Sequence, residues 1–348
     1  MKKRSPHQAA FAVSLALAAW FAVPPATPAA TLAEDFSADP SQNGWTVFGE
    51  TNLYHWDSTN HQLIVTWDST KPNSYFYHSL GGYLTRYDDF TFEFDLRLAD
   101  IASDVEPGKT GPLQIGIGFQ NYSVATNSNY SRGYGMVSDI AECDYYPHGF
   151  YDFGGGVTYD SPPSFVPSFV SDESAFSPTT LKPYYVLELP TNVVVHITMV
   201  YAASNQTATV TAATNGLPVG TVPSLVLDSP TNSNFTLAAD YRVDIFSITS
   251  YSSAGDDYDS VLAHGVIANL RVDLPPPVQN LAGCFSNGVW QVQFSDRTNW
   301  VYSLQRTTDL VSWSEASSPA GGNGTSLVLQ DTNAPPENGF YRVRARRP

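Results

Sequence analysis

The sequence predicts an all-β protein, an antiparallel sandwich or barrel followed by a small separate β-module. Three observations carry this reading. Apolar and polar residues alternate with a period of two along several long segments, while helix signals are almost absent after residue 31. Gly, Pro, Asn and Asp bound those segments, as turns require. Pro275-Pro276-Pro277 then breaks the pattern, because proline cannot continue a hydrogen-bonded ladder, and shorter strands restart beyond it.

Taken in chain order, residues 1–30 read as a secretory signal peptide. Lys2, Lys3 and Arg4 precede the apolar run Ala9 to Val23, and Pro24, Pro25, Thr27, Ala29 and Ala30 follow it. That run is too short to span a bilayer core of about 30 Å. Phe90, Phe92, Phe94, Leu96 and Leu98 fall on one side of a strand, with Glu93, Asp95 and Arg97 on the other. Leu113, Ile115, Ile117 and Phe119 oppose Gln114, Gly116, Gly118 and Gln120; Val193, Val195, Ile197 and Met199 oppose His196 and Thr198. Residues 205–213, 240–250 and 264–274 read as further strands. The expected organisation is a sandwich domain over 31–274, a proline linker at 275–277 and a β-module over 278–348 with strands at 289–295, 300–306, 325–330 and 340–346. Trp290, Trp300 and Trp313 read as its core anchors. The Gly-, Pro- and Ser-rich stretch 150–181 is long for a loop in a compact domain, and such loops often build or cover a site.

The formal charge is −16, and residues 1–30 contribute three of the basic groups and no acid. A chain this acidic is a poor partner for nucleic acid or for an anionic membrane surface, both of which select clustered Lys and Arg. No later segment is long and apolar enough to span a membrane. With only Cys143 and Cys284 available, the fold is expected to rest on packing rather than disulfides.

Residues 31–274 resemble the concanavalin-like, laminin-G-like jelly rolls of secreted bacterial proteins. The resemblance rests on Glu34-Asp35-Phe36, the strand Phe90 to Leu98, Pro112-Leu113-Gln114-Ile115, Glu142-Cys143-Asp144-Tyr145 and the closing run Val266 to Val272. Residues 278–348 are similar to the small immunoglobulin- or fibronectin-like β-module that ends such chains, on Trp300-Val301-Tyr302, Thr308-Asp309-Leu310, Trp313, Asp331 and Phe340-Tyr341-Arg342. The resemblance implies a secreted protein of a fold that hosts lectins, carbohydrate-binding modules, glycoside hydrolases, lyases and adhesion domains, so the fold alone does not fix the function. It also implies a structural calcium between the first and last strands, for which Asp35 and Asp273 are the candidates, with the acidic loop Asp256-Asp257-Tyr258-Asp259 as another.

Glu142 and Asp144 are two residues apart on a predicted strand, so both leave the same face. Laminarinase-type jelly-roll glycosidases continue such a run with a second Glu, because retention needs two carboxyls about 5 Å apart. Here Tyr146 and Pro147 stand at those positions, so a hydrolase is disfavoured. Alginate-lyase-type jelly rolls need a Gln-Ile-His strand, and this chain has Gln114-Ile115-Gly116. The reading is therefore non-catalytic glycan binding, with Glu93, Asp95, Arg97, Gln114, Gln120, Glu142, Asp144, Tyr146 and His196 lining one concave sheet. Tyr54, Trp56, Trp67, Tyr75, Tyr77 and Tyr145 are candidate aromatic platforms, or else core. A rearranged glycan-degrading hydrolase or lyase, and a surface or matrix adhesion protein, are the alternatives.

Overall fold

A computed structural model of the chain describes residues 30–103, 115–132, 134–135, 138–147, 163–171, 187–222, 224–227, 237–238, 240–252, 260–274, 276–298, 300–335 and 339–346. Residues 1–29, all but the last of the predicted signal peptide, and most of the 150–181 stretch lie outside them.

The strands are β1 (Ala30–Glu34), β2 (Trp45–Phe48), β3 (Tyr54–Asp57), β4 (Gln62–Asp68), β5 (Ser74–Leu84), β6 (Phe90–Ser103), β7 (Ile115–Gln120), β8 (Tyr130–Ser131), β9 (Tyr134–Gly135), β10 (Ile140–Tyr146), β11 (Ser164–Val170), β12 (Val195–Ala202), β13 (Thr207–Thr214), β14 (Leu217–Pro218), β15 (Leu225–Val226), β16 (Val243–Ser250) and β17 (Val261–Leu274). One sheet runs β14-β13-β12-β6-β17-β4-β3, with β1 paired to β17 and β15 to β13; the facing sheet runs β11-β10-β7-β16-β5-β2. All pairings are antiparallel, and the two sheets form the predicted jelly-roll sandwich.

The period-two pattern explains the layering. Phe92, Phe94 and Leu96 of β6 and Ile197 and Met199 of β12 point inward to meet Ile117, Phe119, Phe246 and Ile248 of the facing sheet. Phe92 stacks edge-on against Phe119 and Phe246 at centroid distances of 5.7 and 5.2 Å. Truncating a ring at such a site costs about 3–5 kcal/mol. Tyr54, Trp67 and Tyr145 belong to this core, so they are not platforms for a ligand.

Beyond Pro276, a three-stranded and a four-stranded antiparallel sheet build the second unit: β18 (Gln279–Ser286), β19 (Val289–Ser295) and β23 (Ser326–Asp331) on one side, and β20 (Val301–Thr307) with β21 (Ser314–Glu315), β22 (Ala320–Gly321) and β24 (Phe340–Arg346) on the other. Its core is Val292, Phe294, Tyr302, Leu304 and Leu329. Trp290 and Trp300 pack at the margin of this cluster, and Trp313 lies against Arg342 instead, with the guanidinium 4.1 Å from the ring centroid.

The junction is polar as well as apolar. Arg297 of the module reaches Asp88 of the sandwich at 3.4 Å, with Asp88 buried, and Tyr302 Oη donates to the Pro277 carbonyl at 2.8 Å. Beside this contact lies a cleft of about 360 Å³ lined in part by Tyr83, Leu274, Trp300 and Arg346. Cys143 is buried and Cys284 exposed, and both are free.

Candidate functional site

In an antiparallel sandwich the outer face of a sheet ordinarily meets water. Strands β7, β10 and β11 depart from this: every residue of each is buried. Their inward residues form the core, and their outward residues lie under other parts of the chain.

Register fixes who meets whom on that outer face. Glu142 pairs with Gly118 and Asp144 with Gly116; on the next strand Ser247 and Thr249 pair with the same two glycines. The predicted alternation thus brings Gln120, Glu142, Asp144 and Tyr146 to one face, as expected. The glycines serve close packing. A Cβ at Gly116 would stand 2.7 Å from Thr249 Oγ1 and 3.0 Å from Glu142 Oε2, and one at Gly118 would strike the Ala141 carbonyl. Their missing side chains leave room for the carboxylates to lie over the sheet.

The cation of the site comes from the excursion between β7 and β10. After the single helical turn Tyr122–Ala125, the chain makes the short β8–β9 hairpin and places Arg132 in its bend. Three contacts hold this excursion on the sheet: Tyr75 Oη to the Ala125 carbonyl at 3.0 Å, Asn73 Nδ2 to the Tyr130 carbonyl at 3.1 Å, and the Tyr122 amide to Asp244 Oδ1 at 2.7 Å. Arg132 Nη2 lies 2.7 Å from Asp144 Oδ2 and 3.7 Å from Glu142 Oε2. Its guanidinium also sits 5.6 Å from the Tyr251 ring centroid. Tyr251 Oη donates to Glu142 Oε1 at 2.6 Å, Gln120 Nε2 donates to the same oxygen at 3.1 Å and to Ser247 Oγ at 3.0 Å, and Tyr146 Oη donates to Asp144 Oδ2 at 3.3 Å.

Two carboxyls thus share one guanidinium with no exposed surface on either. Burial disfavours the charged form, and the neighbouring Asp144 adds repulsion, so Glu142 is pushed up to about 8 despite Arg132, Tyr251 and Gln120. Burial also raises Asp144, against the opposing pull of Arg132. Burial and mutual repulsion thus favour a proton on the carboxyl pair, while Asp144 and Glu142 hold Arg132 in its charged form. In and beside it several buried polar atoms have no hydrogen-bond partner, acceptors and donors alike: Glu142 Oε2, Asp144 Oδ1, Gln120 Oε1, Arg132 Nε and the hydroxyls of Tyr130, Ser164 and Ser168. Leaving such atoms unsatisfied costs about 1–3 kcal/mol each, so they call for water or ligand.

The other predicted site residues lie elsewhere. Glu93, Asp95, Arg97 and His196 are on the outer face of the opposite sheet, where His196 Nδ1 meets Asp95 Oδ1 at 2.8 Å and Asn269 Nδ2 donates to Asp95 Oδ2 at 2.7 Å. The expectation of one shared concave sheet is therefore corrected: β6 and β12 pair with each other and never with β10, so the whole sandwich separates the two groups. Gln114 lies outside the described residues, as does the 256–259 loop.

Asp35 and Asp273 do not form a calcium site. Asp273 pairs with Thr31 in the ladder, so Asp35 stands four residues farther along, about 13 Å away at the usual rise. Calcium needs its oxygens at 2.3–2.6 Å. Asp273 is held instead by Arg271, at 2.6 and 2.9 Å, and Asp35 accepts from the Ser37 amide. Among the described residues no group of three or more His, Cys, Asp or Glu side chains gathers to hold a metal.

Arg132, Tyr251 and Gly118's role under Glu142 were not foreseen. A lone Arg in a polar turn carries no sequence signal, whereas Tyr251 continues the parity of Ser247 and Thr249 and could have been placed from the strand pattern.

No family model matches the chain, and no curated protein matches it. Among solved structures it is similar to peanut lectin (14% identity, TM-score 0.41, covering 72% of this chain and 100% of that one), to a Lotus tetragonolobus seed lectin (9%, 0.43, 71% and 100%) and to a legume lectin-like domain from Entamoeba histolytica (10%, 0.37, 68% and 94%). At these identities the likeness concerns the fold.

Proposed function

We propose that this protein acts outside the cell as a lectin-like module, binding a polysaccharide on the outer face of the β11-β10-β7-β16-β5-β2 sheet. The observation that carries the reading is the set of buried, unpartnered polar atoms around Glu142, Asp144 and Gln120. Sugars are recognised by planar hydrogen-bonding groups beside aromatic faces, and on this face Tyr77 is the partly exposed ring, while Tyr75, Tyr130, Tyr146 and Tyr251 are buried. Export is supported by the charged and apolar leader pattern of residues 1–30, and the second unit serves as spacer or attachment element. The test is binding of the full chain to a glycan array. Retention of at least one polysaccharide, lost in Glu142→Gln while that variant stays folded, is the expected result. No retention of any glycan overturns the reading.

One observation favours a second reading. Two neighbouring carboxyls, one of them pushed up by burial and by the other, are the kind of pair that serves as acid and as base or nucleophile in glycoside hydrolysis. Release of new reducing ends by the wild-type protein, absent in Glu142→Gln, would establish it over simple binding.

A further inference from the structure

Charge is divided unequally along the chain. Residues 31–277 hold eight Lys or Arg against 28 Asp or Glu, a net of −20, whereas residues 278–348 hold six Arg against five acids, a net of +1. Three of those six, Arg342, Arg344 and Arg346, stand at alternating positions of β24, so they share one face of the strand. All three are exposed, while Tyr341, Val343 and Ala345 between them pack against the core of the module. Glu315 stands beside this row, 3.6 Å from Arg344, and Arg342 rests on the Trp313 ring and donates to Gln305 Oε1 at 2.9 Å. At its Arg346 end the row opens into the cleft of about 360 Å³ at the junction. Resting on the attachment role given to the second unit, and not on the Glu142 face, we infer that row and cleft together form a second glycan site, which takes an anionic polysaccharide bearing carboxylates or sulfates.

A planar guanidinium fork meets a carboxylate or a sulfate with two hydrogen bonds at once. At the usual strand rise the three Cα atoms span about 13 Å in a line. Such a row suits successive groups of an extended polymer rather than one small anion, which needs converging donors. The cleft supplies what sugar rings need besides charge. Tyr83 and Trp300, both half-buried, line it, and a Cβ on Gly81 or Gly82 in its wall would meet nothing within 4 Å, so that side is open. The acid that lines it, Asp88, already faces Arg297 at 3.4 Å, which leaves Arg346 as the surplus charge there. Arg242 stands next to it, with its guanidinium 5.0 Å from the centroid of the Tyr83 ring. The net charge of the sandwich repels a polyanion elsewhere and confines its contact to the module and the junction.

The experiment is calorimetric titration of the full chain at two salt concentrations with three polyanions of comparable length: oligogalacturonate, chondroitin sulfate and polyglutamate. The expected result is binding of one or both acidic glycans, weaker as salt rises, with polyglutamate at least about tenfold weaker because it has no sugar rings for the cleft. The first two arms separate a carboxylate from a sulfate ligand. The double variant Arg344→Gln with Arg346→Gln should lower the affinity about tenfold or more, and Gly82→Trp, which fills the cleft and leaves every cation in place, should do the same. Lys71→Gln, an equal loss of charge per site on an exposed turn of the sandwich, should change it by less than about twofold. Polyglutamate binding as tightly as the glycans, or an arginine double variant that binds like wild type, overturns the inference. So does binding lost in Glu142→Gln and kept in the arginine double variant, which would assign the acidic glycan to the Glu142 face and leave the proposed binding function standing. Absence of binding by both acidic glycans overturns the inference alone, since the glycan array judges the Glu142 face separately. If Gly82→Trp fails to fold, the arginine variant and the polyglutamate comparison decide.

Discussion

Replacing Glu142 by Gln asks whether this carboxyl is held protonated in the folded protein. In the unfolded chain it loses its proton near the ordinary 4.5, while in the native site burial and Asp144 push that point up to about 8. Between these values the native state holds a proton that the unfolded state has released. The stabilising contribution is therefore complete below about pH 4.5 and lost as pH rises through about 8, at up to about 1.36 kcal/mol per pH unit. Across the interval this amounts to at most about 5 kcal/mol. At about 2–4 °C per kcal/mol for a domain of this size, the wild type should lose on the order of 10 °C of melting temperature that Glu142→Gln keeps. The amide preserves the size of the side chain and an acceptor for Tyr251, and it titrates nowhere in the range. Calorimetric melting of both proteins at closely spaced pH values from 4.5 to 9 provides the measurement, and the difference between the two curves isolates this residue. Parallel curves, with a constant difference across the range, would refute the reasoning.

Arg132→Met should destabilise by about 3–5 kcal/mol by leaving Asp144 buried without its cation, and adding Asp144→Asn should recover much of that; denaturant unfolding of the four proteins in the cycle reads the coupling. Gly116→Ala forces a methyl against Thr249 and Glu142 and should cost about 1–3 kcal/mol by the same measurement, with a neutral effect showing that the carboxylates can shift. Arg297→Ala removes the contact with Asp88, so limited proteolysis near residues 275–279 should be slow in the wild type and faster in the variant; equal rates would mean that the ion pair does not hold the module in place. Melting in millimolar calcium and in EDTA should respond identically in wild type and Asp273→Asn, because that carboxylate serves Arg271.

Much of the sandwich could be read directly from alternation. The inward set Phe92, Phe94, Leu96, the set Ile115, Ile117, Phe119, and the late strands 289–295 and 340–346 match the folded elements, because a period of two commits a whole strand to one orientation. Val193 was expected in the strand with Val195, yet it precedes the ladder and is 36% exposed. Parity also grouped Glu142 with Asp144 and Gln120 correctly. It could not say which sheet a polar face belongs to, and so it merged Glu93, Asp95 and His196 with residues on the far side of the molecule. Nor could it find Arg132. That contact depends on where an irregular excursion lands, which is set by Asn73, Tyr75 and Asp244, residues far away in sequence.

The order of the strands carries a consequence for how the chain reaches its native state. β17 lies between β6 and β4 at the centre of one sheet, and β16 lies between β7 and β5 in the other. Both central positions are filled by the last strands of the sandwich to be synthesised, pairing with partners more than a hundred residues earlier, such as Val272 with Phe92 and Ile248 with Ile117. Neither sheet is complete until its central strand has emerged, at Ser250 for one and Leu274 for the other, so the pairings that join each sheet across its middle form late and slowly. Earlier strands can already pair among themselves, as β12 does with β13 and β10 with β7, but the edges meant for β16 and β17 stay open, which makes that interval the stage at which the chain is most exposed to aggregation or to a protease.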